Sequence, residues 1–398
     1  MANTIEWARA SRGFVPFEAE RFVALALQRA GRAAFSDCLF LDPLRRLLAA
    51  YDDEADLGLF GRMAVRFDVM RCLTNLLRLD EEEEKNPAIA ARPIAEPLFI
   101  TGLPRSSTTF LHTLLAQDPA NAVPRCWQLI YPYPHRRRLL RADLRRSVVK
   151  LQFGIFRALS PGLDDLHPLA ADAPQECTDI TAQVFQSLRF DSTYRVPSYQ
   201  SWLQRHGHLD AYRFHRRFLQ HLDAQSPGRW VLKSPDHVFA LDAIEAVYPD
   251  AHIVFLHRDP VSVVASQVRL TESLRKPFAR RIDRAEIGRQ NVASLIDGTD
   301  RMTRAAQRSG AILHLHYRDV VASPMEAVRS VYRHCGRDLG PDAARRMQAW
   351  LDRARRTPRI RQAYSLSEFD LDAPTLRKRF QRYMDVFGIV PEWSVSPL

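Results

Sequence analysis

Residues 97–109 read Pro-Leu-Phe-Ile-Thr-Gly-Leu-Pro-Arg-Ser-Ser-Thr-Thr, and no other segment restricts the fold as much. A short apolar strand (Leu98–Thr101) enters a turn at Gly102. Arg105 and four consecutive hydroxyl residues follow, and Phe110–Leu115 continues as an apolar helix. Strand, tight turn and helix in that order gather unpaired backbone N–H groups and the positive end of a helix dipole around one small volume. That arrangement holds phosphate or sulfate. The segment is close to a nucleotide-triphosphatase loop without being one. In the register G-x-x-x-x-G-K-[ST], Gly102 and Thr109 match, but Ser107 stands for the second Gly and Thr108 for the Lys. Lacking that Lys, the loop loses the main β/γ-phosphate contact and suits a different phosphorylated ligand.

The rest of the chain organises around this segment. Residues 1–94 read as a helical N-terminal region, with apolar residues at i, i+3 and i+4 predicting helices across 19–79. The acidic run Glu81–Glu84, followed by Asn86-Pro87, reads as a solvated linker. Residues 95–398 read as an α/β domain. Its predicted strands are Leu98–Thr101, Trp230–Lys233, His252–His257 and Ile312–Tyr317. Ser234-Pro235, Asp259-Pro260 and Ser323-Pro324 each place an N-cap residue before a Pro at the first helical position, and Glu326 would complete a capping box with Ser323. Short buried strands alternating with capped helices predict a parallel β-sheet flanked by helices, with ligands at the strands' carboxyl ends. Residues 125–228 read as a helical insertion shaping an acceptor pocket. It comprises a basic stretch (136–157), a polar loop (His167–Glu176) and helices over Cys177–Arg189 and Asp210–Ala224.

Charge narrows the function classes. The net charge of +11 and a sequence pI near 9.7 fit a nucleic-acid binder or an enzyme of a polyanionic small ligand. The second is favoured, because the Arg clusters at 136–138, 145–146, 280–281 and 355–361 lack repeated aromatic interleaving. No nucleic-acid partner is therefore expected. Five scattered cysteines without a C-x-x-C pair argue against a disulfide framework or a zinc site. No apolar run is long enough to span a bilayer and no signal-peptide core opens the chain, so a cytoplasmic protein without integral membrane association is expected. The sequence sets no oligomeric state.

A second anion site can be built from the strand ending at His257. Arg258 sits at the strand's edge, and Ser262 and Ser266 lie four apart on the following helix. Arg258 and Ser266, eight residues apart, could pinch one phosphate. A ligand touching both loops would carry anionic groups at two places, as a 3′,5′-bisphosphorylated adenosine does. With these residues the chain resembles the sulfotransferases that use 3′-phosphoadenosine 5′-phosphosulfate. Leu-Pro-Arg-Ser-Ser-Thr-Thr is similar to their 5′-phosphosulfate loop, and Arg258-Asp-Pro…Ser266 to their 3′-phosphate motif. Trp230-Val-Leu-Lys-Ser-Pro-Asp-His237 resembles a Lys-Ser-Pro segment found between the two. His167…Glu176 and the tail around Tyr364-Ser-Leu resemble the bacterial branch. The resemblance covers about residues 95–390.

The resemblance implies in-line transfer of a sulfuryl group to a hydroxyl or amine of a small acceptor, without a metal. It implies that Arg105 and Lys233 stabilise the transition state. Backbone N–H groups of 105–109 and the side chains of Arg105, Ser106, Ser107, Thr108 and Thr109 hold the 5′-phosphate, and Arg258 and Ser266 the 3′-phosphate. Two departures stand out. Ser107 replaces the usual Gly, and Gln128 stands where relatives carry a Glu that could act as a base. The candidate bases are therefore His167, with a suitable unperturbed pKa, and Glu176, if burial raises it. His112 reads as a core histidine, and His237 as either a capping or a site residue. The aromatic content of 125–215 (Trp127, Tyr131, Tyr133, Phe185, Phe190, Tyr194, Tyr199, Trp202) hints at a hydrophobic acceptor or belongs to the core. The rivals are a kinase-like phosphotransferase and a basic nucleic-acid-binding protein.

Overall fold

A computed structural model of the chain describes residues 15–134, 143–159, 170–308, 311–356 and 365–392. Five parallel strands form one sheet in the order β2-β3-β1-β4-β5. They are β1 Leu98–Gly102, β2 Asn121–Ala122, β3 Arg229–Lys233, β4 His252–His257 and β5 Ile312–His316. All of β1 is buried. Its uninterrupted apolar run follows from helices covering both faces of the sheet. Alternate residues feed two cores. Phe99, Leu232 and Phe255 pack with the N-terminal helices, whereas Leu98, Ile100, Val231, Val254 and Leu256 pack against Thr108–Leu115 and the helices after β5. Each such side chain contributes roughly 1.5–3 kcal/mol on burial.

Topology places the site. The chain leaves β1, builds β2 and β3 on one side, then crosses to β4 on the other. Strand order reverses at β1, so the loops after β1, β3 and β4 open outward around one crevice. Among the described residues, no helix is long and apolar enough to cross a membrane.

Several expectations are corrected. Glu81–Glu84 is the last part of the helix Leu59–Lys85, not a linker. Glu83 accepts from Arg217 and His221 at 2.8 Å each. Burial alone would raise the Glu83 pKa, but these two partners outweigh it and hold it near 2. Glu is a good helix former, and Arg217 offsets the run's charge from a neighbouring helix. The helix expected over Cys177–Arg189 breaks after Thr178–Thr181 and a 3₁₀ turn, because Phe185 adopts a left-handed φ of 56°. The fourth expected strand ends at His316, since Tyr317–Ala322 is already helical. Ser323 makes no side-chain cap, so the capping box does not form, although the helix does begin at Pro324. The short edge strand β2 had no sequence signal. The basic stretch is helical over Arg145–Leu159. His167, Tyr364 and residues 136–138 lie outside the described residues.

Candidate active site

The loop after β1 is shaped by backbone conformations that few side chains adopt. Gly102 has φ 130°, and a Cβ there would lie 2.2 Å from the Leu256 carbonyl oxygen of β4. Arg105 and Ser107 both sit at positive φ, 62° and 72°. Ser107 thus keeps the left-handed conformation for which a Gly would be the usual choice. It stands at the N-cap of Thr108–Leu115, where no side chain caps the helix. The helix start therefore has no cap from the Ser107 side chain, which leaves it suited to receive an anion. Ser107, Thr108 and Thr109 line that crevice. Ser106 does not: it is fully buried and donates to the Leu103 carbonyl at 2.5 Å, bracing the loop. Its expected contact with a ligand is replaced by a structural one.

Arg105 ties this loop to the one after β4. Its Nε donates to Ser266 Oγ at 3.0 Å, and its carbonyl accepts from Arg258 at 2.6 Å. Arg258 and Ser266 are thus both tied to Arg105. Arg258 is also held by a group the sequence reading missed. Glu392, near the end of the chain, accepts from its Nε and Nη2 at 2.8 Å each, while Tyr317 lies under the guanidinium, 3.9 Å from ring centre to Cζ. Ser262 turns back to Asp259 at 3.1 Å and plays no part in the cleft.

At the end of β3, Lys233 is 1% exposed. Its Nζ donates to Glu176 Oε1 at 2.5 Å and to Thr109 Oγ1 at 3.1 Å. A backbone bond from Cys177 N to the Lys233 carbonyl, 3.0 Å, pins the segment carrying Glu176 to the strand end. Asp236, three residues after Lys233, also faces the cleft, where Thr178 donates to its Oδ2 at 2.8 Å. Ser234 caps this turn by accepting from Asp236 N. Desolvation raises the Asp236 carboxyl to about 6. The Glu176 charge adds to the rise, while Thr178 and Lys233 oppose it.

Of these groups, Arg105, Thr109, Glu176, Thr178, Asp236 and Arg258 line a cleft of about 560 Å³, whereas Lys233 and Ser266 reach it through their bonds to Glu176, Thr109 and Arg105. Residues from the insertion, including Glu176, Thr178, Leu188 and Arg189, form one wall. None of the eight aromatic residues named above lines it. Phe185, Phe190, Tyr194 and Tyr199 belong to the buried core, and the apolar wall comes from Leu188, Val238, Phe239 and Leu295 instead. His112 is a core residue: its Nε2 donates to the Val231 carbonyl at 3.0 Å, and burial with the nearby Lys233 drives its pKa down to about 3. His237 is buried against Phe99 and bonds Tyr212, away from the cleft. Gln128 accepts from the Arg125 N–H at 3.0 Å and caps its own helix, a role a Glu would fill equally.

Comparison with known proteins bears on this geometry. A family model described as Sulfotransferase family matches residues 97–342. The fold is similar to that of sulfotransferase STF9 from Mycobacterium avium, with a TM-score of 0.84 and 28% identity over 94% of this chain and 98% of that one. It is also similar to sulfotransferase STF1 from Mycobacterium tuberculosis H37Rv, with a TM-score of 0.80 and 30% identity over 92% and 98%. Omega-hydroxy-beta-dihydromenaquinone-9 sulfotransferase Stf3 from Mycobacterium tuberculosis (strain CDC 1551 / Oshkosh) is 23% identical over 282 residues, 69% of this chain and 71% of that protein.

Proposed function

The chain belongs to the sulfotransferase family, and from that premise we propose that it transfers a sulfuryl group from 3′-phosphoadenosine 5′-phosphosulfate to a hydroxyl or amine of a small, largely apolar acceptor. One observation carries the donor assignment. The uncapped helix start and the Arg258–Ser266 pair are joined through Arg105, so a single ligand with two separated anionic groups would meet both. In this reading the acceptor oxygen bonds to sulfur as the bond to the 5′-phosphate breaks. Charge builds on the departing oxygen, where Lys233 and the loop N–H groups stand preorganised. Glu176 holds Lys233 in position. The apolar wall of Leu188, Val238 and Phe239 supports an apolar acceptor, as does the acceptor for which Stf3 is named.

Calorimetry with 3′-phosphoadenosine 5′-phosphate and with ATP tests the reading. The bisphosphate should bind at least tenfold more tightly, because the loop lacks the Lys that grips a triphosphate. Equal affinities, or ATP binding that needs magnesium, would reject it.

Glu392 adds a second expected outcome. Its carboxylate occupies the guanidinium fork of Arg258, which a 3′-phosphate would need. Glu392→Gln should therefore tighten bisphosphate binding by on the order of fivefold, the ~1 kcal/mol scale of a part-exposed ion pair. Affinity for adenosine 5′-phosphosulfate, which has no 3′-phosphate, should stay unchanged. Weaker bisphosphate binding in the variant would mean that Glu392 orients Arg258 rather than competing for it.

A further inference from the structure

Sulfuryl transfer from a neutral hydroxyl needs a group to take its proton, and the cleft offers four carboxylates among the described residues. Three of them face a cation. Glu176 pairs with Lys233 at 2.5 Å, Asp179 with Arg189 at 2.9 Å, and Asp191 lies 3.6 Å from Arg275. A proton arriving on Glu176 or Asp179 would break a close charged hydrogen bond, and Asp191, although desolvation raises it, has Arg275 beside it to oppose the rise. Asp236 differs. Among the described residues no Lys or Arg lies within salt-bridge distance of it, and the side chain that meets it is a neutral hydroxyl, Thr178. An ionised Asp236 can only accept, so the Thr178 hydroxyl donates to it, and the Ser187 hydroxyl, 2.8 Å from both the hydroxyl and the carbonyl oxygen of Thr178, donates toward Thr178.

Position agrees with chemistry. The backbone bond from Cys177 to Lys233 cross-links the two segments concerned. It sets the Glu176–Lys233 pair and the Thr178–Asp236 pair side by side along one edge of the cleft. The first pair faces Thr109 at the start of the anion loop, where the leaving group would sit. The second faces the cavity next to Val238 and Phe239, where an acceptor would sit.

We propose that Asp236 is the catalytic base, taking the proton from the acceptor hydroxyl through its carboxylate. The proposal rests on the sulfuryl-transfer reading above. As the acceptor oxygen bonds to sulfur and the sulfur–oxygen bond to the 5′-phosphate breaks, the acceptor's proton passes to Asp236 and the electron pair leaves with the bisphosphate. Lys233 stabilises the departing oxygen, so the two functions stay on separate groups. Two carboxylates in contrasting environments divide the work, Glu176 paired with a cation and Asp236 met by a neutral hydroxyl. The charged groups facing Asp236 are Glu176, which raises its pKa, and Lys233, which lowers it. Tyr212, on the helix packed behind it, is buried and uncharged. At about 6 the carboxyl is ionised near neutral pH yet basic enough to accept a proton.

The test is a pH–rate profile with 3′-phosphoadenosine 5′-phosphosulfate as donor and 2-naphthol and 1-dodecanol as acceptor probes, for the wild type, Asp236→Asn, Asp236→Glu, Thr178→Val and His167→Ala. The wild type should lose activity about tenfold per unit below pH 6. Asp236→Asn should lower turnover by about 10²- to 10³-fold and abolish that limb, with bisphosphate affinity unchanged by calorimetry. Asp236→Glu should retain a limb at a shifted pH. Thr178→Val should move the limb to higher pH, since it removes a hydrogen bond that favours the charged form. His167→Ala should keep it. A limb that survives in Asp236→Asn, or one that disappears in His167→Ala, overturns the proposal. A wild-type protein that neither binds the bisphosphate nor transfers to either probe instead overturns the donor reading.

Discussion

Lys233→Ala is expected to lower turnover by about a hundred- to a thousandfold while leaving bisphosphate affinity within a few fold. Lys233 is buried at the end of β3, and its Nζ is already engaged by Glu176 and Thr109. Such a cation is fixed before substrate arrives, so it pays no reorganisation cost when charge develops on the departing oxygen. In the ground state the same charge is balanced by Glu176, and the contribution to resting affinity is small. The difference between the two states is what lowers the barrier. Removing the lysine also takes its closest cation away from the Glu176 carboxylate. A loss of stability of up to about 3 kcal/mol is expected from breaking a buried pair. Single-turnover kinetics on folded protein, with a melting curve beside it, separates the two effects. Lys233→Ala/Glu176→Gln should recover stability but not rate. If the single variant changed only the Michaelis constant for the donor, Lys233 would be a binding residue and its transition-state role would be wrong.

Gly102→Ala is expected to cost about 3–5 kcal/mol, the range of substitutions that force backbone apart. The added Cβ would stand 2.2 Å from the Leu256 carbonyl oxygen and 2.8 Å from its amide nitrogen. Both are backbone atoms, and Gly102 is paired in register with Leu256. No rotamer change relieves the clash, so β1 and β4 must separate at the end that forms the site. The φ of 130° adds strain of its own for any residue with a Cβ. Urea unfolding should show a markedly lower midpoint, or no cooperative transition at all. Gly154→Ala is the matched control. It lies in the helix Arg145–Leu159 with nothing within 4 Å of its Cβ position, and it should raise stability by roughly 0.5–1 kcal/mol. If Gly102→Ala unfolded at the wild-type midpoint, the close pairing of β1 with β4 would be wrong.

Much of the site's frame was legible from short stretches of chain. The apolar runs at 98–101, 230–233 and 252–257, and the Asp259-Pro260 start, became buried parallel strands and a capped helix. Local sterics and capping decide such features within a few residues. The acidic run at 81–84 and the 177–189 segment misled, because their outcomes depended on remote partners. Arg217 and His221 bond Glu83 from a helix more than 130 residues away, and Phe185 is held in a left-handed turn inside the core.

The sequence by itself determined that a strand, a tight turn and a hydroxyl-rich helix start follow one another at β1, that the loop lacks the Lys of a triphosphatase loop, and that Arg258 and Ser266 stand eight residues apart beyond β4. Each of these is a matter of residue type and spacing within one strand–turn–helix unit. Only the tertiary structure decided which side chains are engaged and by what. Arg105 reaches Ser266 across 161 positions, Glu392 reaches Arg258 across 134, and Thr178 reaches Asp236 across 58. Those pairings arise because strand order reverses at β1, bringing loops that are distant in the chain to one edge of the sheet. A carboxylate's basicity depends on whether a cation or a hydroxyl meets it there, and that is a property of the assembled cleft, not of the residue's place in the chain.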